Sequence, residues 1–116
     1  MLPLYVTSGE PAGIGPDICL SLAIRIDERP IVVLADINLL KKRAEVLSQT
    51  VEIIEYEGQL ESSGQGQLYV EHIPLNTDVV LGELNAENSA YVLEQLRRSA
   101  DYAMSGKSVG VATPPV

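Results

Sequence analysis

The most unusual stretch of the sequence, and the one best suited to binding, is TSGEPAGIGPDI, here called the glycine loop, from Thr7 to Ile18. Gly9, Gly13 and Gly15 permit a positive φ or the close approach of another group, and Pro16 suits the first position of a following helix. The glycine loop follows a short β-prone stretch, and open α/β sheets bind ligands beyond the carboxyl ends of their strands. The sequence therefore predicts that this loop forms part of a binding-site wall.

A phosphate is one candidate ligand for the glycine loop, because a helix N-terminus offers free N–H groups to an anion. However, Glu10 and Asp17 place negative charge there, and no Lys or Arg occurs between Met1 and Ile24. The glycine spacing also differs from G-x-G-x-x-G and from the P-loop pattern. The sequence favours contact with the hydroxyls or base of a cofactor, or with a neighbouring catalytic domain. A purely structural turn stays open.

The other reactive side chains are isolated. His72 is the only histidine and has no ligand partners at metal spacing, so we expect a strand or loop histidine with a local hydrogen bond. Cys19 has no second cysteine to pair with, which indicates a buried thiol in a reducing compartment. Five of the eight Lys and Arg residues are predicted to lie on solvated helix faces: Lys41, Lys42, Arg43, Arg97 and Arg98. Lys107 precedes its strand, at the end opposite the ligand crevice.

Composition narrows the class of protein. The 16 acidic residues outnumber 8 basic ones, giving a net charge of −8, which disfavours nucleic acid and anionic membranes as partners. Hydrophobic residues make up 46% of the 116 residues, enough for the core of one domain. The start of the chain lacks the order of a signal peptide, and no apolar run is long enough to span a bilayer. We therefore expect a cytoplasmic protein.

Strand-like and helix-like segments largely alternate, which predicts a layered α/β fold with a mostly parallel sheet and helical crossovers. The predicted strands are Leu4–Thr7, Ile31–Ala35, Val51–Tyr56, Leu68–Ile73 and Val109–Thr113. Helices are predicted from Ile18 onward, after an N-cap at Asp36, and over Asn85–Ser105 with Gly106 at C′. The polar stretch Gly58–Gln67 is predicted to be a surface loop or hairpin.

Helical periodicity also predicts which side chains face the core. In the first helix these are Ile18, Cys19, Leu22, Ala23 and Ile26, and in the second Leu39, Leu40, Ala44 and Leu47. In the third they are Val92, Leu93, Leu96, Ala100, Ala103 and Met104. The chain stops directly after the last strand, so the sheet lacks the elements that would complete it. We expect a longer protein, and we expect the isolated chain to oligomerise or aggregate.

Three segments resemble the 4-hydroxythreonine-4-phosphate dehydrogenase family. GEPAGIGPD, Gly9–Asp17, is similar to the signature GDPAGIGPE; GELNAENSAYVLEQL, Gly82–Leu96, is similar to the family's glycine-then-helix stretch; and VATPPV, Val111–Val116, resembles its strand-ending T-[AG]-P-[VI]. Glu10 and Asp17 exchange the usual Asp and Glu, which preserves charge. Pro114 replaces a small residue, which stiffens the turn.

The resemblance implies a two-domain fold like that of isocitrate and isopropylmalate dehydrogenases, with residues 1–116 as its N-terminal α/β portion. It implies NAD- or NADP-dependent oxidation and decarboxylation of 4-hydroxythreonine 4-phosphate in pyridoxal 5′-phosphate biosynthesis. It further implies a homodimer and a divalent metal (zinc, magnesium or cobalt) held by histidines downstream. We expect no catalytic, substrate-binding or metal residue here and an inactive isolated chain. Gly13, Ile14 and Gly15 are the candidate cofactor contacts.

Three alternatives stay open. A relative could oxidise another four-carbon 4-phosphate, such as a threonate or erythronate, and only downstream pocket residues would distinguish it. Isocitrate and isopropylmalate dehydrogenases share a shorter GDGIGPE-like loop, but the pair Pro11-Ala12 fits the first family better. A non-catalytic α/β module that binds a small ligand through the glycine loop is the third alternative, and it requires the chain to be complete.

Overall fold

The computed structural model describes residues 2–24, 30–58, 66–75, 88–108 and 110–113. Within them, five strands form one sheet: β1 Leu4–Thr7, β2 Ile31–Ala35, β3 Glu52–Glu55, β4 Gln67–His72 and β5 Gly110–Ala112. The helices are α1 Gly15–Ser21, continued by a short 3₁₀ turn at Leu22–Ile24, α2 Ile37–Val46 and α3 Ser89–Met104. None of the described helices has the length and apolar character that crossing a bilayer requires.

The sheet is parallel in every described pairing, with the strand order β3-β4-β2-β1-β5. β1 lies between β2 and β5, and Tyr5 is in register with Val32 on one side and Val111 on the other. The parallel α/β prediction is therefore confirmed. Because parallel strands end at one edge, the segments that follow β1 and β5 meet there, which is where such sheets bind ligands.

One face of the sheet is covered by α1 and α2. Buried apolar side chains from both helices, among them Cys19, Leu20 and Leu40, pack against Val33 and Val70. Burying a leucine of this kind contributes about 1.5 to 3 kcal/mol. The predicted buried thiol is confirmed, and burial raises the pKa of Cys19 to about 12.

The opposite face is covered by α3 and contains all five tyrosines of the chain. Tyr5 and Tyr69 project from the sheet, Tyr91 and Tyr102 from α3, and Tyr56 lies at the edge of the cluster. The rings of Tyr5 and Tyr102 stack with centroids 4.6 Å apart. The Tyr102 hydroxyl donates to Glu71 Oε2 at 2.6 Å, and burial raises its pKa to about 12.

The predicted inward face of α3 is wrong. Leu93, Leu96 and Met104 are 64%, 44% and 88% exposed, and Ala100 and Ala103 are exposed as well. The buried residues are instead Tyr91, Gln95 and Ser99, with Val92 half-buried. The reason lies outside the helix: the surface beneath α3 presents polar backbone groups of Gly9 and of Asp36, the residue after β2, and buried polar groups need hydrogen-bond partners.

The basic residues of α2 and α3 also differ in part from the prediction. Lys41 and Lys42 are exposed as expected, but Arg43 is buried and its Nε donates to Asp17 Oδ1 at 2.8 Å, which joins α2 to α1. Arg97 is exposed, whereas Arg98 reaches the sheet and donates to Glu71 at 3.2 Å. A long side chain can bury its stem and still place its charge against a partner, which the spacing of basic residues does not disclose.

The helix ends agree with the sequence more closely. Asp36 caps α2 as predicted, since its Oδ1 accepts from Asn38 N at 2.8 Å and from Leu39 N at 3.1 Å. Gly106 has φ +76°, and Lys107 N donates to Tyr102 O at 2.9 Å, which completes a Schellman motif.

Other predicted boundaries shift. The first helix begins at Gly15, with Pro16 in its second rather than its first position. Ile18 is 37% exposed, so its predicted inward position is wrong. Leu47 is the C-cap of α2 and is 40% exposed, so its predicted inward position is wrong. Ile26, the loop centre at 59–65, residues 85–87 and Val109 lie outside the described residues.

Candidate functional site

The candidate site is a cavity of about 710 Å³ at the carboxyl ends of β1 and β5. The glycine loop forms one wall and the first two turns of α3 form another. Its described lining consists of Thr7, Ser8, Gly9, Glu10, Gly13, Ile14, Gly15, Ser89, Val92, Leu93, Gln95, Leu96 and Thr113. The cavity therefore includes Gly13, Ile14 and Gly15, the residues that the sequence analysis named as candidate cofactor contacts.

The glycine loop has a fixed path between β1 and α1. Gly9 has φ +73°, a conformation that favours glycine. Gly13 N donates to Glu10 O at 3.0 Å, and a Cβ added at Gly13 would lie 3.4 Å from that oxygen. Gly15 is the first residue of α1. Of the three glycines, Gly9 is the one that uses a positive φ, while Gly13 sits in a tight turn.

A side chain of α3 holds Gly9. Gly9 N donates to Gln95 Oε1 at 2.9 Å, and Gln95 Nε2 donates to Gly9 O at 3.3 Å. Gln95 has no exposed surface. The Ser8 hydroxyl lies 2.9 Å from Leu34 O and 3.3 Å from Gln95 Oε1, and it has one O–H proton to donate between these two acceptors. The start of the loop is thus tied to both β2 and α3.

Asn88, at the N-cap of α3, binds the next part of the loop. Its Nδ2 donates to Glu10 Oε1 at 3.1 Å, and Ala12 N donates to the same oxygen at 3.4 Å. The Glu10 carboxylate therefore closes the turn of its own loop. Its charge stays at the cavity wall, and the described lining contains no Lys, Arg or His to balance it.

The electrostatics argue against an anion in this cavity. Asp17 was expected to place a negative charge beside the loop, but Arg43 of α2 compensates that charge by a direct ion pair. Arg43 is not among the residues that line the cavity. The lining is mostly apolar, so it favours a neutral or aromatic group over a phosphate.

A second network fixes the neighbouring end of β2. Asp36 N donates to the Tyr91 hydroxyl at 2.8 Å, and that hydroxyl lies 3.4 Å from Ser8 Oγ. Burial raises the pKa of Tyr91 to about 12. His72 Nδ1 accepts from Ile37 N at 3.1 Å, so the predicted local hydrogen bond is confirmed. In the part of the chain that the structure describes, no three metal-ligating side chains come together.

Asn88, Tyr91 and Gln95 also belong to the site and were not predicted from the sequence. Their spacing in the sequence could have indicated this, because these three residues and Ser99 recur every three or four positions along α3. That spacing places them on one helix face. Polar residues at helical spacing opposite an apolar stripe are usually taken as the solvent side, and here they are the buried side.

The model of the family described as pyridoxal phosphate biosynthetic protein PdxA matches residues 27–116. The 4-hydroxythreonine-4-phosphate dehydrogenase of Vibrio cholerae serotype O1 is 43% identical over 115 residues, covering 97% of this chain and 35% of that protein. The protein of the same name from Neisseria meningitidis serogroup B is 46% identical over 106 residues, covering 91% of this chain and 31% of that protein. The chain spans about a third of the length of these relatives.

Solved structures agree. The crystal structure of 4-hydroxythreonine-4-phosphate dehydrogenase from Klebsiella pneumoniae superposes with a TM-score of 0.88 at 26% identity, covering 99% of this chain and 37% of that one. A putative enzyme of the same name from Salmonella typhimurium gives 0.88 at 25% identity, covering 99% and 38%. The strand order and the helix placement described above are therefore those of an established fold.

Proposed function

Because the chain belongs to the family of pyridoxal phosphate biosynthetic protein PdxA, we propose that the whole protein is a 4-hydroxythreonine-4-phosphate dehydrogenase. It oxidises the secondary alcohol of its substrate with NAD, and the resulting keto acid loses carbon dioxide to give an aminoketone phosphate for pyridoxal 5′-phosphate synthesis. The observation that carries the proposal is 43% identity to an enzyme of that name over 97% of this chain. Residues 1–116 are then the N-terminal α/β part of a cytoplasmic homodimeric enzyme, and are inactive alone.

In this proposal the glycine loop contacts the dinucleotide, which accepts the hydride when bound. Gly13 and Gly15 let the cofactor approach the backbone closely, and Ile14, 59% exposed, offers an apolar side chain to a ring. The apolar lining and the absence of a lining Lys, Arg or His among the described residues suit a base or nicotinamide better than a phosphate. The substrate phosphate is then held elsewhere in the complete protein.

The described residues do not fit a divalent metal, because no group of three or more His, Cys, Asp or Glu side chains converges among them. His72 uses Nδ1 to accept from the backbone of α2, and it belongs to no such group among the described residues. A metal in the complete enzyme therefore needs ligands from outside the described residues. The described part of the chain contributes the cavity wall.

The test is formation of NADH, followed by absorbance, from 4-hydroxythreonine 4-phosphate with the full-length protein. Turnover that a chelator abolishes supports the proposal and its metal. Threonate and erythronate 4-phosphates serve as competing substrates, and a higher kcat/KM for either would assign the protein to that related reaction. A folded dimer without turnover on all of these substrates would contradict a dehydrogenase function.

The cofactor contact has its own variant. Ile14→Asp places a second carboxylate in the cavity beside Glu10, so we expect the KM for NAD to rise on the order of tenfold. Ile24→Asp is the matched control, because Ile24 is 74% exposed and does not line the cavity. Equal KM values for NAD in the two variants would show that the glycine loop does not contact the cofactor.

A further inference from the structure

The amide of Gln95 is bound on both sides by a single peptide segment. It accepts the Gly9 N–H at 2.9 Å and donates to the Gly9 carbonyl at 3.3 Å, much as a neighbouring strand would. The side chain comes from the middle of α3 and is fully buried. A buried amide that loses its partners is left with its desolvation cost, so this pairing strongly favours one loop position.

The segment that Gln95 binds sets the direction in which the glycine loop leaves β1. Gly9 is the residue with positive φ at which the chain leaves β1, and the two Gly9 groups that Gln95 binds flank that turn. Both residues also line the cavity, with Gly13, Ile14 and Gly15 a few residues further along the same wall. The position of the glycine-loop wall is therefore fixed relative to α3.

We infer that Gln95 is a positioning residue: through Gly9 it holds the glycine loop in the shape that binds the dinucleotide. The loop-holding part stands on the hydrogen bonds alone, and the binding part rests on the proposed function. A residue that merely filled core volume would be replaceable by an apolar side chain of equal length. If Gln95 positions the loop, such a replacement frees Gly9.

The variants are Gln95→Met, which keeps the length and removes both hydrogen bonds, and Gln95→Glu, which keeps the acceptor for Gly9 N–H. Ser99→Ala is the matched control, one turn along the same buried face, because the Ser99 hydroxyl donates within α3 to Leu96 O at 2.9 Å. Each is made in the full-length protein. Hydrogen exchange at Gly9, from overlapping peptides, and steady-state kinetics are measured on every variant.

We expect Gly9 N–H to exchange about tenfold faster in Gln95→Met than in the parent, because the variant loses roughly one neutral hydrogen bond to that group. The KM for NAD should rise about three- to tenfold with little change in kcat, because the binding-competent loop is less populated. Gln95→Glu should give intermediate values and Ser99→Ala parental ones. Should Gln95→Met fail to fold, Gln95→Glu carries the same comparison.

Equal Gly9 exchange in Gln95→Met and Ser99→Ala would overturn the inference. Faster exchange with an unchanged KM for NAD would overturn the positioning role and leave the contact purely structural. If the parent protein itself neither binds nor reduces NAD, the proposed function fails, while the exchange rates still decide whether Gln95 holds Gly9.

Discussion

Replacing Asp36 tests how α2 is anchored to the sheet. The Asp36 carboxylate accepts three backbone hydrogen bonds: from Asn38 N at 2.8 Å, from Leu39 N at 3.1 Å and from Leu75 N at 2.7 Å. The first two cap the helix, and the third binds the segment that follows β4. Asp36 is only 6% exposed, so water does not readily replace the lost acceptor.

Asp36→Ala removes all three contacts. Loss of an N-cap costs about 1 kcal/mol, and loss of a hydrogen bond to a charged group costs about 1.5 to 3 kcal/mol. We therefore expect the free energy of unfolding to fall by about 2.5 to 4 kcal/mol. Asp36→Asn still caps the helix, but its amide nitrogen cannot accept a hydrogen bond from Leu75 N. We therefore expect its free energy of unfolding to fall by about 1.5 to 3 kcal/mol.

The assay is urea unfolding of the full-length protein, followed by circular dichroism, with each variant compared with the parent. Glu45→Ala is the control, because it removes an exposed carboxylate from the same helix and should change stability by less than about 0.5 kcal/mol. If Asp36→Ala matches Glu45→Ala, or if Asp36→Asn is the less stable of the two Asp36 variants, the three contacts do not anchor α2 as described.

Three further outcomes follow from the structure. Ser48 follows α2 with φ +54°, so Ser48→Gly should raise the free energy of unfolding by about 0.5 to 1 kcal/mol. Gly106 also has a positive φ, so Gly106→Ala should lower the free energy of unfolding by about 1 kcal/mol. Denaturant midpoints check both variants. Hydrogen bonds from Arg97 and Arg98 lower the pKa of Glu94 to about 2, so its stabilisation is present above the ordinary pKa near 4.5 and is lost as pH falls towards 2; Glu94→Gln should flatten acid unfolding over that range, and an unchanged acid limb would refute this. The Cys19 thiol, with its pKa raised to about 12, should react with a thiol reagent at pH 8 at least about a hundredfold more slowly than an unfolded control, and rapid labelling of the native chain would contradict its burial.

The sheet could be predicted from the sequence because its strands are local apolar runs. The bounds predicted for β1 and β2 are those observed, since Ile31–Ala35 is apolar throughout and is buried on both faces. Asp36 and Gly106 were predictable for a similar reason, because caps depend on a few neighbouring residues.

The orientation of α3 could not be predicted in this way. Periodicity identifies two faces of a helix, but which one is buried depends on what lies beneath it. Here that surface is the Gly9 peptide and the end of β2, far away in sequence, which selects Gln95 and Tyr91 over Leu93. Arg43 was mispredicted for the same reason, because its partner Asp17 is on another helix.

The placement of the tyrosines makes the two layers of the protein optically distinct. The chain has no Trp and no Phe, so its aromatic absorption comes from five tyrosines, and all of them lie on the α3 side of the sheet. The layer of α1 and α2 contributes no aromatic signal in the described residues. Among residues 1–116, near-ultraviolet dichroism therefore reports the packing of α3 on the sheet, while amide dichroism reports both layers. Partial unfolding that releases one layer before the other is visible without any label.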